Sequence, residues 1–253
     1  RRQRQMCIRD SRIMLYYELL LIYCLLEADT DMKVEMHTHT SETSPCAHIC
    51  AQDVIKMYKE AGYDTVVITD HYSKWVFEKN GAKTPDEVTS HFLKGYKTAL
   101  GCAEIYDINV LLGCEVTLTE SPNDYLLYGV NEDFFHTHPF LYNLSLEELS
   151  EICHNENILI VQAHPNRAYC EPVNPALLDG AEVFNGNPRH DSNNDKTYAW
   201  AYEHDLIMTS GSDFHEKEDL ALGGIITEYD IKTENDLIQT LLSGDYSLIT
   251  PVE

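Results

Sequence analysis

From Met32 onward, short apolar runs alternate with stretches whose apolar residues recur every third or fourth position. The runs 33–39, 65–69, 109–117, 125–130, 158–163, 181–185 and 206–210 read as strands. The run 65–69 is an apolar, β-branched run, the composition of a strand buried on both faces. The intervening stretches predict helices over 51–61, 84–106, 145–156, 196–204 and 233–242. Thr84-Pro85-Asp86-Glu87 and Ser145-Leu146-Glu147-Glu148 are helix starts of the capping-box type. Gly62 and Gly244 read as helix stops, and Gly95 and Gly101 as candidate breaks in the long helix. Short strands are expected over 223–227 and 246–250. Alternating strand and helix implies parallel strands joined by right-handed crossovers. The expected fold is therefore α/β, a distorted (β/α)7 barrel forming a single domain over 32–253.

Residues 1–31 break this pattern. They are Arg-rich and then apolar, with Glu18 interrupting the run and no small-residue cleavage site after it. The run is short for a membrane span. Met6-Cys7-Ile8-Arg9-Asp10-Ser11 matches one reading frame of a library-preparation adapter. The stretch is expected to be a non-domain extension, a sequencing or gene-calling scar ahead of a start at Met32.

Charge narrows the partners. A formal net charge of -24 disfavours an extended nucleic-acid surface and an anionic membrane. A small phosphorylated substrate stays compatible, because bound divalent ions reverse the local sign. The 8 cysteines include no C-x-x-C pair and read as reduced, mostly buried thiols of a cytoplasmic protein. Cys46 and Cys50 lie near the first histidine pair, where a ligand role is conceivable.

The chemistry collects at strand ends. His37 and His39, two apart on a strand, aim two imidazoles at one point. His136 and His138 repeat the spacing without the strand. Three further runs end in ligand-type residues: Thr69-Asp70-His71, Ala163-His164 and Gly211-Ser212-Asp213-Phe214-His215. A fourth, Leu112-Gly113-Cys114-Glu115, ends in a carboxylate. The C-terminal ends of barrel strands are where active sites gather. Glu182 to His190 leaves a strand for the same mouth, and Asn185, Arg189 and His190 are candidate substrate-binding residues. Arg189 could fork onto phosphate oxygens or pair with one of the many carboxylates. His91, His154 and His204 lie on predicted helices and read as surface or core histidines.

These motifs, in this order, resemble the polymerase and histidinol phosphatase (PHP) family over nearly all of 32–253. The resemblance implies a distorted seven-stranded barrel, two or three divalent metal ions (Mn, Zn or Fe) and phosphoester hydrolysis by metal-activated water. It implies that His37, His39, Glu115 and Asp213 hold one metal and that Glu115 bridges to a second, held also by His164. His71 and His215 would hold a third, with a ligand from the loop after the first strand: His48, or else Glu42. Where many members carry another histidine after the fourth strand, Asn131 stands here, and His138 is the candidate substitute. Asp70 reads as a residue that orients His71 or its neighbours. Glu115, Asp213 and His215 are the candidate catalytic residues, with Asp213 or a neighbouring histidine relaying a proton. Two other classes stay open. One is an amidohydrolase-like metallohydrolase, disfavoured by a carboxylate where a bridging lysine would stand. The other is a non-catalytic, metal-binding regulatory module.

Overall fold

In chain order, the computed structural model, which describes residues 31–250, runs β1 (Met32–Thr38), α1 (Ala51–Glu60), β2 (Thr65–Ile68), β3 (His71–Ser73), α2 (Lys74–Asn80) and α3 (Pro85–Tyr106). Next come β4 (Asn109–Thr117), β5 (Asp124–Tyr128), α4 (Glu132–Thr137), α5 (Leu146–Asn155) and β6 (Leu159–Gln162). The chain continues with β7 (Gly180–Asn185), α6 (Asn194–Glu203), β8 (Ile207–Gly211), β9 (Ile225–Thr227), α7 (Glu234–Ser243) and β10 (Ser247–Leu248). The expectation for the N-terminal extension falls outside the described residues.

The sheet order is β10-β9-β1-β2-β4-β5-β6-β7-β8, with β3 pairing β4 beside β2. The edge strand β8 returns to β1: Thr38 bridges Phe214, the His39 N–H donates to the Phe214 carbonyl at 3.0 Å, and the Phe214 N–H donates to the His37 carbonyl at 3.1 Å across the seam. The seven strands β1, β2, β4, β5, β6, β7 and β8 thus make a nearly closed, distorted α/β barrel. The all-parallel expectation fails at one strand that matters. β5 runs antiparallel to both β4 and β6. The reason is the short connection from β4, which permits a hairpin and not a crossover.

Strand alternation sorts the core. Val34, Met36, Val67, Leu111, Leu126, Tyr128 and Val161 pack together with Leu237, Ile238 and Leu241 of α7. Their strand neighbours Val66, Ile68 and Val110 face the other way, onto Val54, Ile55 and Tyr58 of α1. A larger cluster holds α3, α4 and α5 to β4 and β5 through Phe92, Phe135, Leu149 and Leu127.

The helix starts follow their sequence signals. Thr84 accepts from the N–H of Glu87 at 3.3 Å and Glu87 accepts from the N–H of Thr84 at 2.9 Å. Ser145 with Glu148 and Thr233 with Asp236 repeat the arrangement. The long helix α3 passes unbroken through Gly95 and Gly101. Gly95 is there for contact: a Cβ on it would lie 2.0 Å from Thr40 Oγ1 and 2.3 Å from Asp70 Oδ2, whereas one on Gly101 would meet nothing within 4 Å. Opposite effects are therefore expected. Gly101→Ala should raise stability by about 0.5–1 kcal/mol from helix propensity. Gly95→Ala should lower it by about 1–3 kcal/mol through overpacking. Thermal melts of the two variants check the sign, at about 2–4 °C per kcal/mol for a domain of this size.

Candidate metal centre

The backbone brings the ligand-type residues to one mouth. His37 and His39 close β1, with ring centroids 5.0 Å apart. Asp70 and His71 follow β2, and His164 follows β6. Asp213 and His215 follow β8, and Asn185 ends β7. In the β3–β4 ladder His71 stands directly opposite Glu115, which places its Nδ1 2.6 Å from Glu115 Oε2. Because β5 is antiparallel, its first residue and not its last lies at this mouth. That residue is Asp124, opposite Thr117, whose hydroxyl donates to it at 2.5 Å.

Three groups of donors result. His37, His39 and Glu115 form one, Glu115, Asp124 and His164 a second, and His39, His71 and His215 a third, each with its donor atoms within 4.8 Å of one another. Asp213 Oδ1 borders the first, 3.6 Å from His37 Nε2 and 3.4 Å from His39 Nε2. Glu115 is shared by two groups, with His37 and His164 each 3.2 Å from its Oε1. His39 Nε2 and His37 Nε2, Glu115 Oε2 and His164 Nδ1 are all buried without an aligned hydrogen-bond partner. Such a cluster is costly if nothing else binds it. Imidazoles and carboxylates around a carboxylate shared by two groups fit divalent ions of the Mn, Fe and Zn type.

Electrostatics agree. Burial pushes the Glu115 carboxyl up, but His37 and His71 outweigh it and hold it well below the usual carboxylate range. Asp213 is likewise held low against its burial by His37, His39, His215 and Arg167. Burial lowers His37, but Glu182, Glu115 and Asp213 raise it well above the usual imidazole value. Burial together with His71 and His215 keeps His39 well below it, so His39 is neutral. Burial and the charge of Glu115 raise Asp124 to about 6. Two buried anionic carboxylates, with protons held on neighbouring imidazoles, describe a site where cations compete with protons.

The surrounding residues fix these side chains. Glu182 Oε1 accepts from His37 Nδ1 at 2.8 Å, which leaves Nε2 as the free donor facing Glu115. Asp70 accepts from the backbone and hydroxyl of Thr40 and from the Ser44 hydroxyl at 2.6–2.7 Å. Ser44 in turn accepts from the His71 N–H at 3.0 Å, so Asp70 acts on His71 through the loop. Glu35, buried and pushed up by that burial to about 7, accepts from the Ser212 N–H and hydroxyl and ties β1 to the segment carrying Asp213. His164 and Asp213 both hold left-handed backbone, φ 30° and 50°, a conformation costing non-glycine residues about 1–2 kcal/mol. Glu182→Gln should leave the fold intact and weaken metal affinity about 10- to 100-fold, measured by chelator competition.

The remaining candidates are placed as follows. His48 is exposed at the rim, anchored through its backbone to His215, and belongs to none of the three groups. Glu42 turns away and caps α1, accepting from the Ala51 N–H at 3.0 Å. Cys46 lines the same cavity, of about 300 Å³, beside His71 and His215. Burial pushes its thiol up, but hydrogen bonds to His215 and His71 bring it down to about 6. Asn131 caps α4 at the far end of β5, accepting from the Phe134 N–H at 3.0 Å, and His138 pairs with Glu156. Arg189 lines the cavity but is gripped by Asp219 at 2.5 and 2.8 Å and by Glu216 at 2.7 Å. His190 is exposed at the rim. Asn185 is buried and bridges Glu182 and Arg167. Asp124, Arg167 and Glu216 line the cavity and were missed in the sequence. Asp124 needed the strand direction. Arg167, whose Nη2 lies 2.7 Å from both Asp213 and Asn185, could have been found from its place just after His164-Pro165. Of the six described cysteines, all free, only Cys114 and Cys153 are buried, so mostly buried thiols is not what the structure shows.

The PHP domain family model matches residues 35–242. The chain belongs to the PHP domain family. Among solved structures, it is similar to a Bacteroides vulgatus two-domain protein containing a predicted PHP-like metal-dependent phosphoesterase, at TM-score 0.65 and 12% identity over 87% of this chain and 65% of that one. A putative metal-dependent phosphoesterase from Bifidobacterium adolescentis gives TM-score 0.51 and 17% identity, over 73% of this chain and 88% of that one. The lesion-specific endonuclease of Pyrococcus furiosus gives TM-score 0.62 and 16% identity over 86% of this chain, which spans only 57% of the endonuclease. At these identities the likeness is one of fold. No curated protein matches.

Proposed function

We propose that this PHP domain is a metal-dependent phosphoesterase that hydrolyses a small phosphomonoester or the phosphoester of a nucleotide or short oligonucleotide. The observation that carries the reading is the convergence of three donor groups on Glu115 and His39, with four buried donor atoms lacking aligned partners. His37, His39, Glu115 and Asp213 would hold one ion, Glu115, Asp124 and His164 a second, and His71 and His215 a third. Divalent ions (Mn, Zn or Fe) bound there supply a low-pKa water nucleophile and neutralise charge on phosphoryl oxygens.

The protein does the rest. Glu182 and the Asp213 carbonyl, which accepts from His215 Nδ1 at 2.9 Å, set the imidazole faces. Asp213, held anionic, and His215 are the groups placed to take up a proton. Arg167 sits deeper than Arg189 and lends its charge to the cavity wall, while Arg189 braces the His215 segment through Asp219, which also accepts from the His215 N–H at 2.8 Å. Free thiols fit a reducing, cytoplasmic setting, and among the described residues no helix is long and apolar enough to cross a membrane. The strongly acidic chain favours a small substrate over an extended nucleic-acid surface.

A substrate panel with added manganese, zinc or iron tests the proposal. Turnover of phosphoesters is expected. Turnover confined to amides or lactones supports the amidohydrolase-like alternative, and tight metal binding without turnover supports a regulatory module. On the best phosphoester, Arg167→Ala should raise KM by roughly 10- to 150-fold, the scale of a charge-assisted contact. Arg189→Ala should raise KM less and lower the melting temperature more.

A further inference from the structure

His39 belongs to two of the three donor groups. A neutral imidazole carries one proton, and only the other ring nitrogen can bind a metal. His39 Nε2 lies 3.4 Å from Glu115 Oε2 and 3.4 Å from Asp213 Oδ1 and is aligned with neither. Its Nδ1 lies 3.4 Å from Ser44 Oγ, in hydrogen-bond geometry. A hydroxyl has one proton to give. Ser44 gives it to Asp70 Oδ1 at 2.6 Å, a much shorter contact than the one to His39. Asp70 acts as an acceptor throughout, taking also the N–H and hydroxyl of Thr40 at 2.7 and 2.6 Å. The Ser44 oxygen is thereby left to accept. It takes the His71 N–H at 3.0 Å and turns toward His39 Nδ1. The loop fixes it there: the Ser44 N–H donates to the Thr40 carbonyl at 2.9 Å, and Thr43 Oγ1 accepts from the Gly95 N–H of α3 at 3.0 Å. Thr40, Thr43 and Ser44 are all buried.

We propose that Ser44 is a positioning residue that keeps the His39 proton on Nδ1, so that Nε2 presents its lone pair to the metal centre. The inference rests on the metal-dependent reading above and deepens it at one ligand. Asp70 anchors the relay: by accepting the hydroxyl proton it makes Ser44 an acceptor, and carboxylate, hydroxyl and imidazole support the ligand in series. The other tautomer is the poorer one. Its proton sits on Nε2, where no acceptor is aligned and the ligand position is blocked, and its bare Nδ1 faces an oxygen lone pair. His37, the strand partner of His39, is set through the same ring nitrogen, with the carboxylate of Glu182 acting on it directly. The Ser44 hydroxyl also ties the His39 ring to the His71 backbone, so one side chain sets two members of the third donor group.

Nuclear magnetic resonance of metal-free protein carrying isotope-labelled histidine reads the tautomer directly, from two-bond proton–nitrogen correlations at mildly alkaline pH. The His39 signals are identified by their absence from His39→Gln. The natural sequence should carry the His39 proton on Nδ1, a result that needs no other variant. Ser44→Ala should move the proton wholly or partly to Nε2, and Ser44→Thr, which keeps the hydroxyl, should return it. Zinc affinity, measured by chelator competition, should fall about 10- to 100-fold in Ser44→Ala and recover in Ser44→Thr. A proton on Nε2 in the natural sequence, full zinc affinity in Ser44→Ala, or a loss of affinity there with the tautomer unchanged would overturn the assignment and leave the metallohydrolase reading standing. No zinc bound by the natural sequence would overturn both.

Discussion

Glu115→Gln is expected to abolish hydrolysis while leaving the barrel folded. Glu115 is fully buried, and its two oxygens lie between 2.6 and 3.4 Å from nitrogens of His37, His39, His71 and His164. Glutamine keeps the shape. It removes the charge that His37 and His71 hold ionised against burial, and it turns an N–H₂ group toward donor atoms. Two of the three donor groups lose their shared anion at once. A fall of about a thousandfold or more in kcat/KM is expected, about 4 kcal/mol at 1.36 kcal/mol per decade. Bound metal should drop by at least one equivalent, with a circular dichroism spectrum like that of the parent. A variant with parental metal content and parental kcat would remove Glu115 from the centre of the account.

Asp124→Asn should have the next largest effect. Asp124 shares its group with Glu115 and His164, with His164 Nε2 3.9 Å away, and it is the one carboxylate in that group that no other group uses. The amide can still accept from Thr117, so the hairpin should persist. One metal equivalent should be lost, and kcat should fall by roughly 10- to 100-fold, with added metal recovering part of it. The contrast is Asn131→Ala at the other end of the same strand. It removes a helix cap and should cost about 1 kcal/mol of stability without touching metal content. If Asn131→Ala empties a metal position and Asp124→Asn does not, the direction assigned to β5 has no bearing on the site.

That pair also shows what the sequence could and could not convey. Hydrophobic alternation marks a strand but carries no arrow. Tyr125 to Tyr128 of β5 were legible, but Asp124 and the strand's direction were not, because direction depends on whether the preceding connection crosses over or folds back. The parallel strands behaved otherwise: their C-terminal ends are fixed by the crossovers, so the ends holding His37, His39, His71, His164, Asp213 and His215 could be read in order. Helix starts were legible because a capping box is local chemistry, as at Thr84 and Ser145. The three-residue strand β3 left no period to detect. Gly95 looked like a helix break because its partner, the Asp70–Thr40 pair, comes from distant sequence. The partner of Arg189 was equally hidden: Asp219 is one acidic residue among 42, and only the fold selects it. Cys46 was legible as a nearby thiol. That it lines the same cavity as His71 and His215 while Glu42 caps α1 depends on the loop conformation set by Ser44 and Asp70.

On the proposed reading, this mouth works only with metal in it. The measurement is steady-state hydrolysis of the best phosphoester by protein stripped with a chelator, its residual metal quantified by mass spectrometry, before and after adding back manganese, zinc or iron. No turnover is expected in the stripped protein, with recovery on metal addition at the same protein concentration and without a refolding step. Undiminished hydrolysis by protein verified to contain no metal would contradict it.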